Sequence, residues 1–156
     1  MSPKVWVLTG EGINCERETA QAFRLAGAEV SYLHVRELCA QPSKLLEARI
    51  LALPGGFSFG DEITSGQVLG LMLRQALAPV WGEYLRRGGL ALGVCNGFQV
   101  LAKMGGFGPL SLVHNRQGHF IDQWITARVE DADCVWTRGL YGQTWPLPMR
   151  HGEGRV

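Results

Sequence analysis

A cysteine stands between two glycines at the point where an apolar run gives way to an amphipathic one. Residues 90–99 read Leu-Ala-Leu-Gly-Val-Cys-Asn-Gly-Phe-Gln, so Cys95 is flanked at a distance of two by Gly93 and Gly97. This G-x-C-x-G form, between a buried strand and a helix, is the thiol version of a nucleophile elbow. Such a turn exposes the thiol at a helix N-terminus, where the dipole and unpaired N–H groups favour a thiolate. The pattern indicates a nucleophilic cysteine, although a buried structural cysteine before a helix is a common alternative.

A second glycine-rich turn follows another apolar run, at Pro54-Gly-Gly-Phe-Ser-Phe-Gly-Asp61. The carboxyl ends of parallel strands meet at one edge of a sheet, so we expect residues 55–57 to lie beside Cys95. Backbone N–H groups of this loop and of Asn96 could then bind an oxyanion that develops during attack by the thiol. The alternative is a loop whose glycines only supply positive φ.

The apolar runs along the chain predict the elements that position these two turns. Buried runs alternate with helical patterns, which implies right-handed βαβ units and a mainly parallel sheet in a three-layer α/β/α fold. Pro79 should end a helix or start a turn, and the region after Pro109 should add antiparallel strands at a sheet edge. The predicted strands are 5–8, 30–35, 50–53 and 90–94, the helices 16–26, 67–78 and 96–104, and the later extended runs 121–129 and 144–149.

Composition excludes several classes of function. The 156 residues suit one domain, and 46% hydrophobic residues can bury a core, which excludes intrinsic disorder. Fifteen basic residues against fourteen acidic ones, with no basic run longer than Arg86–Arg87, argue against nucleic-acid binding. The longest nearly apolar stretch, 68–80, is too short to span a bilayer, and we expect no signal peptide before the first strand. Four cysteines without a CxxC pair favour reduced thiols in the cytoplasm.

Two other motif interpretations are disfavoured. Gly10-Glu-Gly-Ile-Asn-Cys15 has a cysteine where the third glycine of a dinucleotide-binding turn should stand, and His34 replaces the acid expected near the end of the second strand. His114 and His119 have no partners at zinc-like spacing, so we expect no metal site.

Five segments, in the expected order, carry a family resemblance. The sequence resembles the glutamine amidotransferase subunit or domain of phosphoribosylformylglycinamidine synthase, a class I (triad) amidotransferase of purine biosynthesis. The segments are Gly12-Ile-Asn-Cys-Glu16, Leu53-Pro-Gly-Gly-Phe-Ser-Phe-Gly-Asp61, Gly93-Val-Cys-Asn-Gly-Phe-Gln-Val-Leu101, Asn115 to Phe120, and Arg150-His-Gly-Glu-Gly-Arg155.

This resemblance implies a flavodoxin-like amidotransferase domain over 1–156 and a set of roles. Cys95 would attack the glutamine side-chain amide, form a γ-glutamyl thioester and release ammonia to a formylglycinamide ribonucleotide synthetase subunit or domain. Backbone around Gly56 and Asn96 would form the oxyanion hole, and Gln99, Asn115 and Phe120 would contact glutamine. The amidotransferase domain itself would use no cofactor, because the partner uses ATP and Mg²⁺.

The sequence departs from the family in its triad. The family's His and Glu come from a His-Pro-Glu motif beyond the last matching segment, and we expect the chain to be truncated before it. His151-Gly-Glu153 has similar spacing but corresponds to a separate motif of the family. A base is needed because an ordinary cysteine thiol is mostly protonated at pH 7.

Three functions therefore remain open. The chain could be the glutaminase component of the synthase, a non-catalytic regulatory or scaffold subunit of the same fold, or a stand-alone thiol hydrolase. The loop at 54–61 argues against the last. A longer reading frame containing His-Pro-Glu would favour the first, and a stop after Val156 the second.

Overall fold

The computed structural model describes residues 2–130 and 133–156, which form two compact units. The first unit comprises the described residues up to Leu112 together with Val156, and the second is Val113–Arg155. The prediction of one amidotransferase domain over 1–156 stays a prediction.

A four-stranded sheet forms the centre of the first unit. Its strand order is β2-β1-β3-β4, and every pair in it is parallel. All four side chains of β3 are buried, as expected for a central strand that is covered on both faces. The strands are β1 (Lys4–Thr9), β2 (Glu29–His34), β3 (Ile50–Leu53) and β4 (Leu90–Gly93).

Helices cover both faces of this sheet. The β1-to-β2 crossover runs toward one edge and the later crossovers toward the other, so right-handed connections place α1 on one face and α2 and α3 on the opposite face. The α/β fold with a parallel sheet is confirmed. The helices are α1 (Glu16–Leu25), α2 (Val35–Ala40), α3 (Gln67–Arg86) and α4 (Asn96–Lys103), and two 3-10 helices span Pro42–Glu47 and Ser58–Asp61.

The structure corrects the prediction that Pro79 ends or interrupts a helix. Helix α3 continues through Pro79 to Arg86. Leu73 and Leu77 before the proline and Tyr84 after it are all buried, so packing on both sides holds one continuous helix. The sequence analysis also missed α2, a helix of six residues that His34 caps by accepting a hydrogen bond from the Arg36 N–H at Nδ1 (3.2 Å).

Tyr84 ties together the amino ends of β3 and β4. Its ring is 1% exposed, and its hydroxyl donates its proton to the carbonyl oxygens of Leu90 (2.7 Å) and Arg49 (3.1 Å), which share it. Gly89 leaves room for the ring, since a Cβ there would stand 2.5 Å from it. Burial raises the pKa of the Tyr84 phenol to about 12.

The second unit contains two antiparallel pairs of strands. The predicted antiparallel strands form, but the prediction that they extend an edge of the parallel sheet is wrong, because β6 pairs with β7 and β5 with β8 in separate two-stranded sheets. The Val129 N–H donates to the Gln143 carbonyl (2.9 Å), so the backbone polar groups of Gln143 face the strand that contains β6. Alternate residues of a strand direct these groups to opposite sides, so the nitrogens of Pro146 and Pro148 point away from β6. Prolines are tolerated there because they remove no hydrogen bond from the ladder. The strands are β5 (Val113–His114), β6 (Ile121–Arg128), β7 (Thr144–His151) and β8 (Glu153–Arg155).

Among residues 2–130 and 133–156, no helix has both the length and the apolar character needed to cross a membrane.

Candidate active site

Cys95 occupies a sharp turn between β4 and α4. Its φ of 52° and ψ of −117° lie where residues with a side chain are rarely found, and it is the N-cap residue of α4. The Val94 N–H donates to the Leu53 carbonyl (3.1 Å), which keeps the turn attached to β3. The thiol is exposed. The predicted elbow is therefore present, and its cysteine faces solvent rather than the core.

Both glycines of the elbow are required by close backbone approach. A Cβ at Gly97 would stand 1.9 Å from the Leu53 carbonyl oxygen, and one at Gly93 would stand 2.5 Å from the Gly97 carbonyl oxygen. Real Cβ atoms never approach other atoms so closely, so a side chain at either position would force strand and helix apart.

The loop after β3 lies beside the cysteine, as predicted. The point where a Cβ of Gly55 would stand is 3.3 Å from the Cys95 Cβ and 3.6 Å from the Cys15 Sγ. Gly56 has a φ of 147° and forms an isolated antiparallel bridge with Ile13. The turn after β1 thus supports the loop after β3 from the side opposite β4.

Two N–H groups near Cys95 are available to a ligand. In the loop after β3, the Phe57 N–H donates to the Gly12 carbonyl (2.7 Å) and the Ser58 N–H to the Asn96 Oδ1 (3.0 Å). Among the residues that the structure describes, the N–H groups of Gly56 and Asn96 have no acceptor. These are the two residues that the resemblance names for the oxyanion hole, and that role stays a prediction.

The side chain of Asn96 is buried and fully bonded. Its Nδ2 donates to the Asp61 Oδ1 (2.9 Å) and to the Gln99 Oε1 (3.1 Å), while its Oδ1 accepts from Ser58. Gln99, predicted to contact glutamine, is also buried and lies one helical turn after the elbow. Sequence reasoning missed this cluster, because its members come together only when the loop after β3 meets the elbow. The one sequence feature that could have indicated it is Asp61, the acidic residue that ends this loop.

A second cysteine near the elbow was also missed. Cys15, the N-cap residue of α1, donates its thiol proton to the Asn14 Oδ1 (3.2 Å). Burial raises the pKa of the Cys15 thiol, and the charges of Glu18, Cys95 and Glu16 raise it further. The Cys15 thiol therefore stays protonated more readily than an ordinary cysteine thiol.

Asn115 and Phe120 belong to the second unit. Asn115 Nδ2 donates to the carbonyl oxygens of His151 (2.7 Å) and His119 (3.1 Å), so its amide joins the loop after β5 to the end of β7. Phe120 is exposed. Their predicted contact with glutamine stays a prediction.

His151 and His114 each contact a polar side chain within the second unit. His151 Nδ1 bonds to Asn115 Oδ1 (2.9 Å), whereas the Glu153 carboxylate lies 3.5 Å from His114 Nε2. His34 ends β2, at the opposite edge of the parallel sheet from β4. Three strand spacings, about 14 Å, therefore separate it from the elbow.

A family model and several relatives match the chain. The model of the CobB/CobQ-like glutamine amidotransferase domain matches residues 2–156. The chain belongs to this glutamine amidotransferase family. It is 38% identical to phosphoribosylformylglycinamidine synthase subunit PurQ of Methanococcus maripaludis over 99% of the chain and 60% of that protein. It is 40% identical to subunit PurQ of Dehalococcoides mccartyi over 98% of the chain and 62% of that protein.

A solved structure agrees with this family assignment. A chain of the PurLQS structure of Thermotoga maritima matches this chain with a TM-score of 0.81 and 33% identity, over 99% of this chain and 69% of the other. The resemblance to PurQ-like amidotransferases is thereby confirmed. The chain spans about three fifths of the length of the first curated relatives it matches.

Proposed function

We propose that the chain is the glutaminase component of a phosphoribosylformylglycinamidine synthase, which releases ammonia from glutamine for an ATP-dependent synthetase of purine biosynthesis. One observation carries the proposal: an exposed cysteine at a strained elbow lies beside the loop after β3, and the backbone N–H groups of Gly56 and Asn96 have no acceptor among the described residues. Acyl transfer needs this combination of a nucleophile and oxyanion donors. The PurQ subunits among its relatives support the choice of reaction.

The chemistry at Cys95 takes two similar steps. The thiolate attacks the carbonyl carbon of the glutamine side-chain amide, and the oxygen that gains the electron pair accepts hydrogen bonds from the N–H groups of Gly56 and Asn96. The intermediate collapses when the nitrogen takes a proton and leaves as ammonia, which gives a γ-glutamyl thioester on Cys95. Water then adds to the thioester in the same way, and glutamate leaves as the thiolate is restored.

A general base must take the thiol proton and return it to the leaving nitrogen. His34 is the one histidine of the first unit, and it lies at the far edge of the sheet from Cys95. A histidine base would therefore come from outside the first unit. General-base catalysis is typically worth 10²–10⁴-fold in rate, so the activity depends strongly on that group.

Substrate and partner belong to the same proposal. Glutamine would contact Gln99, Asn115 and Phe120, and ammonia would pass to a formylglycinamide ribonucleotide synthetase that itself uses ATP and Mg²⁺. We expect the reaction in the cytoplasm. The PurLQS structure of Thermotoga maritima, which includes a similar chain, supports a synthetase partner.

The test compares two nitrogen sources in the presence of the synthetase partner. Cys95→Ala should abolish synthesis from glutamine and leave synthesis from ammonium salts intact, because the thiol is used only to release ammonia. Cys134→Ala changes an exposed cysteine of the second unit and should leave both reactions unchanged. Loss of the ammonium-dependent reaction in Cys95→Ala would contradict the proposal, since the residue would then support folding or docking.

A non-catalytic subunit of the same fold is the alternative. It is favoured by the position of His34, which leaves the elbow without a histidine of its own unit. If the unaltered chain supported synthesis from ammonium but never from glutamine, this alternative would replace the glutaminase.

A further inference from the structure

The segment after the Gly55–Gly56 turn has an unusual backbone. Phe59, Asp61 and Ile63 have φ values of 53°, 52° and 73°. With Cys95 they are all the non-glycine residues of positive φ in the described part of the chain. Such conformations persist only where surrounding contacts impose them, and they concentrate at functional sites. Something must therefore hold this segment in place against the elbow.

The Asn96 amide makes that connection. Its orientation is fixed by chemistry, because Oδ1 faces the Ser58 N–H while Nδ2 faces two oxygen atoms. Ser58 is 1% exposed, and its Oγ has no hydrogen-bond partner among the described residues, so its N–H is the group that ties it to the elbow. The same residue thus offers a backbone N–H at the elbow and fixes the loop that offers the other.

Asp61 fixes the Asn96 amide in turn. Its Oδ1 accepts from Asn96 Nδ2 (2.9 Å) and from the N–H of Gly66 (3.2 Å), the N-cap residue of α3. A carboxylate oxygen that accepts two N–H groups forms stronger hydrogen bonds than a neutral acceptor. The elbow, the loop after β3 and the start of α3 therefore meet at one oxygen atom.

We propose that Asp61 is a positioning residue for acyl transfer, which acts through the Asn96 side chain to set the separation of the Gly56 and Asn96 N–H groups. The inference rests on the proposed function for its natural substrate, glutamine. The positioning of the two N–H groups by Asp61 should matter for any acyl group that Cys95 accepts, because every such transfer passes through an oxyanion. Asp61 contacts no substrate in this scheme.

Two reactions of the same thiol separate positioning from folding. Acylation of Cys95 by p-nitrophenyl acetate passes through a tetrahedral oxyanion and releases p-nitrophenolate. Alkylation by iodoacetamide displaces iodide directly and forms no oxyanion. The rate for Cys95 is the total rate minus that of Cys95→Ala, which removes the contribution of the other three cysteines.

Asp61→Ala should slow acylation by about tenfold or more while alkylation stays within about twofold, since loss of one oxyanion donor costs about 10²–10³. Asp61→Asn keeps a neutral oxygen acceptor at the same position and should recover acylation to within about threefold of the unaltered chain. Glu62→Ala is the matched control, because it removes the neighbouring charge from an exposed side chain and should change neither rate.

Three outcomes would overturn the inference. If Asp61→Ala slows both reactions equally, the residue supports folding only, and if it slows neither, Asp61 does not position the donors. An Asp61→Asn variant as slow as Asp61→Ala would show that charge, not the two hydrogen bonds, is what matters. Should Asp61→Ala fail to fold, Asp61→Ser takes its place, with the same decrease expected in acylation alone.

The proposed function can fail without this inference. If Asp61→Ala slows acylation selectively but the chain with its synthetase partner never uses glutamine, then the positioning role stands and the glutaminase does not.

Discussion

The two ends of the β3–β4 pair are built in opposite ways. At the carboxyl end, Cys95 has a positive φ, the thiol is exposed, and the adjoining loop contains further non-glycine residues of positive φ. At the amino end, Tyr84 is buried and its hydroxyl bonds to both strands. Strained backbone costs of order 1–3 kcal/mol per residue and needs rigid surroundings. The well-packed end of the same two strands supplies part of that rigidity.

The largest effect should come from adding one methyl group at the carboxyl end. Gly97→Ala would place a Cβ 1.9 Å from the Leu53 carbonyl oxygen, and the nearest atoms are all backbone atoms of Leu53 and Pro54, which cannot rotate away as a side chain could. We expect a loss of more than about 4 kcal/mol in the free energy of unfolding, or no folded protein, as for the most damaging substitutions. Urea denaturation followed by circular dichroism measures it.

The control for this change is Gly82→Ala, inside α3. Its Cβ would meet only the end of the Arg86 side chain, at 3.4 Å, and alanine favours a helix over glycine by about 1 kcal/mol. This variant should be as stable as the unaltered chain or more so. A folded, fully stable Gly97→Ala protein would contradict the close approach of strand and helix.

At the amino end, the sharpest change is removal of one oxygen atom. Tyr84→Phe keeps the ring but leaves the carbonyl groups of Arg49 and Leu90 without its proton. We expect a loss of about 1–2 kcal/mol in unfolding free energy, the usual cost of such a hydrogen bond. Tyr32→Phe, at a more exposed ring, should change stability by less than about 0.5 kcal/mol. Equal effects of the two variants would argue against a special role for the amino end.

Alkaline pH should weaken the amino end without any substitution. The folded pKa of Tyr84, about 12, lies above the ordinary value of 10, so the unfolded chain loses this proton first as pH rises. Its contribution is complete below pH 10 and disappears as pH rises through 12, with a slope of at most about 1.4 kcal/mol per pH unit. Denaturant titrations at pH 9, 10 and 11 should show this decline, and Tyr84→Phe should show a smaller one. A steeper decline in Tyr84→Phe would refute the assignment.

The smallest effect tests the strain at the nucleophile itself. Glycine adopts the Cys95 conformation without penalty. The free energy of unfolding of Cys95→Gly should therefore exceed that of Cys95→Ala by about 1 kcal/mol. The sign should reverse at Cys39 inside α2, where Cys39→Gly should be less stable than Cys39→Ala by a similar amount. Thermal unfolding of the four variants measures both differences, and the same sign at both positions would show that the elbow is unstrained.

The elbow could be predicted from the sequence because its causes are local. Two glycines at fixed spacing around Cys95, after a buried strand and before a helix, allow few other structures. The strands of the parallel sheet were predictable for the same reason, since each is a short apolar run. The cluster of Asn96, Asp61 and Gln99 was not predictable, because its hydrogen bonds join loops that are distant in sequence and any of the three could have faced solvent.

The two errors about elements have physical causes of their own. Pro79 was expected to stop a helix because it lacks an N–H, but the buried residues on either side of it outweigh one missing hydrogen bond. The strands of the second unit follow the expected antiparallel pattern, but strand periodicity carries no information about which sheet a strand joins.

The paired prolines of β7 bear on how copies of the chain behave at high concentration. The outer side of β7 presents no N–H at Pro146 or Pro148, so an incoming strand would find carbonyl groups but no donors along its centre. Exposed apolar side chains adjoin them, Trp145 before Pro146 and Leu147 between the two prolines, and would otherwise favour stacking into fibrils. Proline at these two positions makes β7 a poor template for amyloid growth.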